Sequence, residues 1–241
     1  MRVEPILFLF AATALAAPQK FSSGPGRTNL IELYTSEGCS SCPPAEKILG
    51  ELRNHPGLWR DFVPVAFHVV YWDHLGWRDR FASKTGTERE YAYVAEWGSG
   101  SVYTPCFVRN GAEWRIRFGG GALERSTESA GVLAAEYAGR QCRVTFIPAS
   151  DARDDYEAHA AVLGGGITSA VRAGENEGHI LQHEFVVLVL GEKPLRNGAA
   201  KIILSPPDTA AGTRHALAIW ITRRGSLAPV QAAGGWLAYV P

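Results

Sequence analysis

The stretch LIELYTSEGCSSCPPAEKIL, residues 30–49, decides how the N-terminal half is read. Leu30 to Tyr34 is short and apolar, as a buried strand is. Thr35-Ser36-Glu37-Gly38 breaks it. Cys39-Ser40-Ser41-Cys42-Pro43-Pro44 then opens a helical run whose apolar Ala45, Ile48, Leu49 and Leu52 share one face. The prolines fall near the first turn, where a helix has no amide bond to lose. A CxxC between a strand and a helix points to thiol redox chemistry. Cys39, at the expected helix N-terminus, has unpaired amides and the helix dipole to favour its thiolate and is the expected nucleophile. Cys42, one turn on, is the expected resolving thiol.

Outward from this stretch, Asn54-His55-Pro56-Gly57 ends the helix and Phe62 to Val70 reads as a second strand. Tyr71 to Trp77 (YWDHLGW) is an aromatic loop, and Thr87 to Trp97 a helix. Val102-Tyr103-Thr104-Pro105 leads into a strand at Cys106 to Val108. Asn110-Gly111 then turns a hairpin into Trp114 to Phe118. Leu123 to Tyr137 is expected to be a closing helix. This order predicts an α/β domain over residues 28–139, a mixed sheet flanked by helices on both faces. From Cys142 the texture changes. Val144–Ile147, Tyr156–Val162, Ile167–Arg172, Ile180–Leu190, Lys201–Ser205, Ala216–Thr222 and Trp236–Val240 read as strands separated by Gly, Pro and Asn. They predict an all-β, sandwich-like domain over 142–241.

The 241 residues are 46% hydrophobic and 20% charged, with zero formal net charge. No basic patch points to nucleic acid. Residues 1–16 carry an apolar run closed by Ala14-Leu15-Ala16 and read as a signal peptide, which implies a secreted or periplasmic protein. No later run is long and apolar enough for a transmembrane anchor. Lys20 to Arg27 reads as a tether. Four cysteines allow three pairings, of which Cys39–Cys42 is expected; Cys106 and Cys142 are left open.

Three segments together, LYTSEGCSSCPPAEKIL at 33–49, FHVVYWDHLGWRDRFAS at 67–83 and VYTP at 102–105, resemble the thioredoxin superfamily and, within it, the bacterial DUF1223 family. AGENEGHILQHEFVV at 173–187 resembles that family's C-terminal half. The resemblance implies a thioredoxin-like fold, a cis Pro105 and an added β-rich domain. One departure is Cys106, which follows the Thr-Pro where the family pattern has another residue; strand alternation would turn it away from the site.

The expected function is therefore an extracytoplasmic thiol–disulfide oxidoreductase acting on protein thiols or disulfides and served by a redox partner. Cys39 and Cys42 carry the chemistry, Thr104 and Pro105 shape a substrate groove, and Trp72, Asp73 and Trp77 line it. Glu32, in the first strand, is a candidate for proton transfer. No Gly-rich fingerprint or P-loop calls for an organic cofactor, and the redox reading needs no metal. One rival is copper or zinc delivery by Cys39, Cys42 and His68 or His74. Another is a non-catalytic protein-binding module. His68 is otherwise a core histidine, and His179 with His183 reads as surface chemistry.

Overall fold

The computed structural model describes residues 17–115, 123, 126–150, 155–205, 207 and 212–238, so the expected signal peptide lies outside the described residues. The first strands are β1 (Gln19–Ser22), β2 (Asn29–Thr35), β3 (Phe62–His68), β4 (Cys106–Arg109) and β5 (Ala112–Glu113). Helix α1 (Pro43–Glu51) follows β2, and α2 (Lys84–Glu96) follows β3. Then come β6 (Gly131–Ala138), β7 (Gln141–Pro148), β8 (Tyr156–Gly165), β9 (Ile167–Ala170) and β10 (Ile180–His183). The last are β11 (Val186–Pro194), β12 (Ala199–Ile203), β13 (Arg214–Arg223) and β14 (Pro229–Trp236).

The predicted helix-flanked, thioredoxin-like α/β fold with an all-β appendage is not what the chain forms. The described residues hold fourteen strands and two α-helices. Eight strands make one sheet in the order β14-β13-β8-β11-β3-β2-β4-β5, which runs from the C-terminal half into the N-terminal half. The join is parallel, with Val186 opposite Ala66 and the Ala66 amide donating to the Phe185 carbonyl at 2.8 Å. Alternation in the sequence marks each strand but is silent on its partner. The edge that β3 offers to β11 was therefore invisible locally. A second sheet, β1-β6-β7-β12, stacks on the first. Leu133, Val144 and Phe146 from it pack with Val162, Leu217 and Ile219 of the large sheet.

Two local expectations also change. Leu123 to Tyr137 is not a helix: its described C-terminal part is β6, where Leu133, Ala135 and Tyr137 are buried in turn. Its Ala- and Glu-rich composition favours a helix, but pairing with β1 and β7 overrides that preference. Gly131 opens the strand at φ 97°, and a Cβ there would sit 2.2 Å from the Ile147 carbonyl oxygen. The expected tether contains β1 and is pinned by Gln231. The Gln231 amide nitrogen donates to the carbonyls of Gly24, Gly26 and Gly131, while its oxygen accepts from the Thr28 amide. The final strand spans Pro229–Trp236 rather than beginning at Trp236.

One helix covers each face of the sheet at β2. Thr35 bonds Glu46 of α1 at 2.6 Å. Glu32, on the other face by alternation, holds Arg89 of α2 at 2.7 Å and accepts from Tyr34 and Tyr93. Arg89 is buried against Phe67, Tyr93 and Trp220. Breaking such a pair strands a charge at a cost of about 3–5 kcal/mol. Further along α2, Glu90 is buried with one oxygen unpartnered, while the other accepts from Tyr71 at 3.1 Å.

Two predictions follow from these contacts. Gln231→Leu takes the side-chain partner from three carbonyls and from the Thr28 and Ala232 amides and should cost about 2–4 kcal/mol in urea unfolding; a loss under about 1 kcal/mol would show that water replaces the clamp. Burial pushes the Glu90 carboxyl up from 4.5 to about 7. A folded value above the unfolded one means stability falls as pH rises from about 4.5 to 7. Glu90→Gln should thus gain about 2–3 kcal/mol over the parent at pH 8 relative to pH 4. A gain independent of pH would refute this assignment.

Candidate functional site

Cys39 and Cys42 are joined in a disulfide with Cα atoms 5.4 Å apart. Cys42 is the N-cap of α1, and Pro43 and Pro44 form its first turn. Cys39 Sγ lies 3.3 Å from Ser41 Oγ and 3.8 Å from the Thr104 carbonyl oxygen. The Thr104–Pro105 peptide is cis, as the family resemblance implied. Trp72 Nε1 donates to Thr104 Oγ1 at 2.7 Å and holds that segment against the thiol pair. Gly38 makes the approach achievable, because a Cβ there would stand 2.9 Å from Trp72 Cβ. Beside the disulfide runs a groove of about 530 Å³, lined by Ser41, Pro44, Ile48, Tyr103, Pro105 and Trp114.

Cys39, Cys42, Thr104, Pro105 and Trp72 are thus brought together. Glu32 is not: it faces α2, with Arg89, Tyr34 and Tyr93 on its two oxygens. Asp73 and Trp77 turn to a different place. Trp77 Nε1 donates to Glu37 Oε2 at 2.7 Å, and Asp73 Oδ1 accepts from the Asp79 amide at 3.2 Å.

That place is a buried cluster of acids and imidazoles. His183 Nδ1 meets Glu46, and its Nε2 lies 3.2 Å from Glu37 Oε1 without the alignment of a hydrogen bond. His68 Nδ1 is 2.6 Å from Asp79 Oδ2, which also accepts from the Glu37 amide at 2.9 Å. Burial alone would strip the proton from His183, but the Glu46 and Glu37 carboxylates hold its pKa up at about 10. His68 is also raised, burial being outweighed by Asp79. Asp79 and Glu37 sit below the usual carboxylate range: burial opposes this, but His68 and His183 prevail.

His183 is therefore buried rather than a surface residue, whereas His179 is exposed and outside β10. His74 directs its Nδ1 at the Tyr71 carbonyl. Cys106 and Cys142 are free thiols in separate cores, each pushed up to about 12 by burial. Among the described residues, the buried group with metal-ligand spacing is Glu46, His68 and His183, and it contains neither Cys39 nor Cys42.

The disulfide is also covered. The loop from β9 to β10 lies over it and is closed on itself by bonds from the Gly178 amide to Val171 and the His179 amide to Asn176. Asn176 Nδ2 donates to the carbonyls of Glu37 and Cys39, both at 2.9 Å. Glu175 accepts from the amide and hydroxyl of Ser40, at 3.0 and 2.7 Å. Both cysteines are fully buried as a result. Glu37, Glu46, Asp79, Glu175 and Asn176 were not singled out from sequence, and His183 was read as surface chemistry. The signal was there, because all six lie inside the family-like strings at 33–49, 67–83 and 173–187.

Comparison with known proteins fits this architecture. The crystal structure of AGR_C_4864 from Agrobacterium tumefaciens superposes with a TM-score of 0.64 at 24% identity, over 87% of this chain and 94% of that one. HBP35 of Porphyromonas gingivalis gives 0.55 at 12% identity, over 90% and 77% of the two chains. At these identities the likeness is one of fold. No curated protein matches the chain. The DUF1223 family, described as a protein of unknown function, matches residues 30–222, and the chain belongs to it.

Proposed function

We propose that the protein is an extracytoplasmic thiol–disulfide exchange protein whose Cys39–Cys42 pair acts on polypeptides docked in the adjoining groove. The observation that carries this reading is the placement of the disulfide at the start of α1, with the Thr104 carbonyl 3.8 Å from Cys39 Sγ and an open groove alongside. The dipole of a helix start favours a thiolate, the amides of Ala45 and Glu46 being spent on the Cys42 carbonyl behind Pro43 and Pro44. The groove wall of Tyr103, Pro105 and Trp114 is apolar and aromatic, suited to an extended segment beside a disulfide.

In the reducing direction, the Cys39 thiolate attacks one sulfur of a substrate disulfide and expels the other as a thiolate. Cys42 then attacks Cys39 Sγ, releasing the second substrate thiolate and closing the protein disulfide. Two electrons pass to the substrate, and a partner dithiol restores the pair. Run backwards, the same steps oxidise a substrate dithiol. Access requires the β9–β10 loop to lift from Ser40 and Cys39. Trp72 and Gly38 position Thr104; Glu32 has no part in the exchange.

Two measurements test this. Cys42→Ser should accumulate mixed disulfides with a peptide that carries a disulfide, one peptide thiolate leaving as the bond to Cys39 forms, seen as a mass shift lost on reduction, and Cys39→Ser should not. Trapping by Cys39→Ser alone would reverse the roles. Trapping by neither would leave the groove a binding surface without exchange. Asn176→Ala removes two hydrogen bonds worth about 1 kcal/mol each from the covering loop. Reduction of Cys39–Cys42 by dithiothreitol should then be about ten- to thirty-fold faster. An unchanged rate would show that the loop does not govern access.

A further inference from the structure

We propose that Glu46, His68 and His183 form a binding site for one divalent transition-metal ion of the zinc type, reached from the cleft between α1 and the β9–β10 hairpin. The three side chains come from α1, β3 and β10, are all buried, and offer ligand atoms within 4.8 Å of one another. Zinc bonds of about 2.0–2.2 Å in a tetrahedral arrangement need ligand atoms about 3.4 Å apart. His183 Nδ1 already meets Glu46, so seating an ion parts that pair while the longer separations close.

The hydrogen bonding around the cluster is incomplete in a way that suits an ion. His68 commits Nδ1 to Asp79, leaving Nε2, a fully buried atom, with no partner. A carboxylate on one imidazole nitrogen is the arrangement that orients the other toward a metal and raises its basicity. On the far side of the His183 ring, Nε2 faces Glu37 Oε1 at 3.2 Å, a second carboxylate beside an imidazole of the cluster. An orphaned buried polar atom costs about 1–3 kcal/mol, so His68 Nε2 is a departure from an ordinary core.

Charge and access agree. Glu37, Glu46 and Asp79 bring three carboxylates together whose partners are His68 and His183 rather than a lysine or arginine, so an ion that displaces the imidazole protons takes over their charge. The nearby Arg53 and Arg214 are both tied to Glu184 instead. A cleft of about 590 Å³ has Glu46 and His183 in its wall, which gives an ion and a water ligand a way in from solvent. Two imidazoles and a carboxylate select zinc-type ions over magnesium or calcium, which prefer all-oxygen shells. The site shares no ligand with the thiol pair, so it stands whether or not the exchange reading does.

The test uses the whole mature chain, with its disulfide intact, stripped with a chelator and then titrated with zinc chloride. One zinc per chain should survive desalting, and Cys39→Ser/Cys42→Ser should retain it. His68→Gln and His183→Gln should each weaken binding at least tenfold, and Asp79→Asn, acting through His68, by about ten- to a hundred-fold. Circular dichroism establishes whether each variant is folded. Should either histidine variant fail to fold, cobalt(II) substitution of the parent decides. Intense visible d–d bands without a thiolate charge-transfer band support the nitrogen and oxygen site. No retained zinc, zinc lost with the cysteines, a thiolate band, or zinc held equally by folded histidine variants would each overturn the proposal.

Discussion

His183 is enclosed between Glu46 of the first helix and Glu37 of the loop that carries the cysteines, and much of the rest is arranged around that contact. It spans 137 residues of sequence to Glu46 and fastens the β9–β10 hairpin to the CxxC end of the sheet. Charged groups enter an apolar interior only if their partners are in place, so the contact tolerates little rearrangement. Once the hairpin is seated, its loop has one place to go. Asn176 and Glu175 fall on the backbone around Cys39 and Ser40, and Trp77 closes over Glu37.

The result is a thiol pair whose surroundings come from both halves of the chain. Helix α1 and the Thr104 segment make one side of the site, as a local reading of the N-terminal half would have it. The cover belongs to β9 and β10, and the support beneath Glu37 belongs to His68 and Asp79. Glu32 illustrates the division. It sits three residues from Thr35, hence on the opposite face of β2, and its charge is matched by Arg89. The same strand therefore carries two buried acid networks, one through Glu32 toward α2 and one through Thr35 and Glu46 toward α1. Only the second adjoins the cysteines.

The shared sheet explains why a two-part description by sequence is incomplete. Strands β8, β13 and β14 are strongly apolar and were recognisable as strands. Their attachment through β11 to β3 makes the N-terminal elements part of a larger β-structure, with the second sheet stacked on the far half. Glutamine 231 then ties the first strand's connection back to β6 and β14, so the leader and the C-terminal strands stabilise one another.

By itself the sequence determined what neighbouring residues encode: the strand before Cys39, the helix start at Pro43, the Asn110-Gly111 turn, most strand positions and the Cys39–Cys42 pairing. These rest on periodicity, proline and glycine geometry and short loop closure, all of which act over a few residues. Tertiary structure alone decided that Leu133 to Tyr137 is a strand, that β11 completes the edge of β3, that Asn176 covers Cys39, and that His183 joins Glu46 and His68. Each depends on partners far apart in the chain, such as the 137 residues between Asn176 and Cys39. A hydrophobic or polar residue states what kind of neighbour it needs but not which one, and only the packed fold makes that choice.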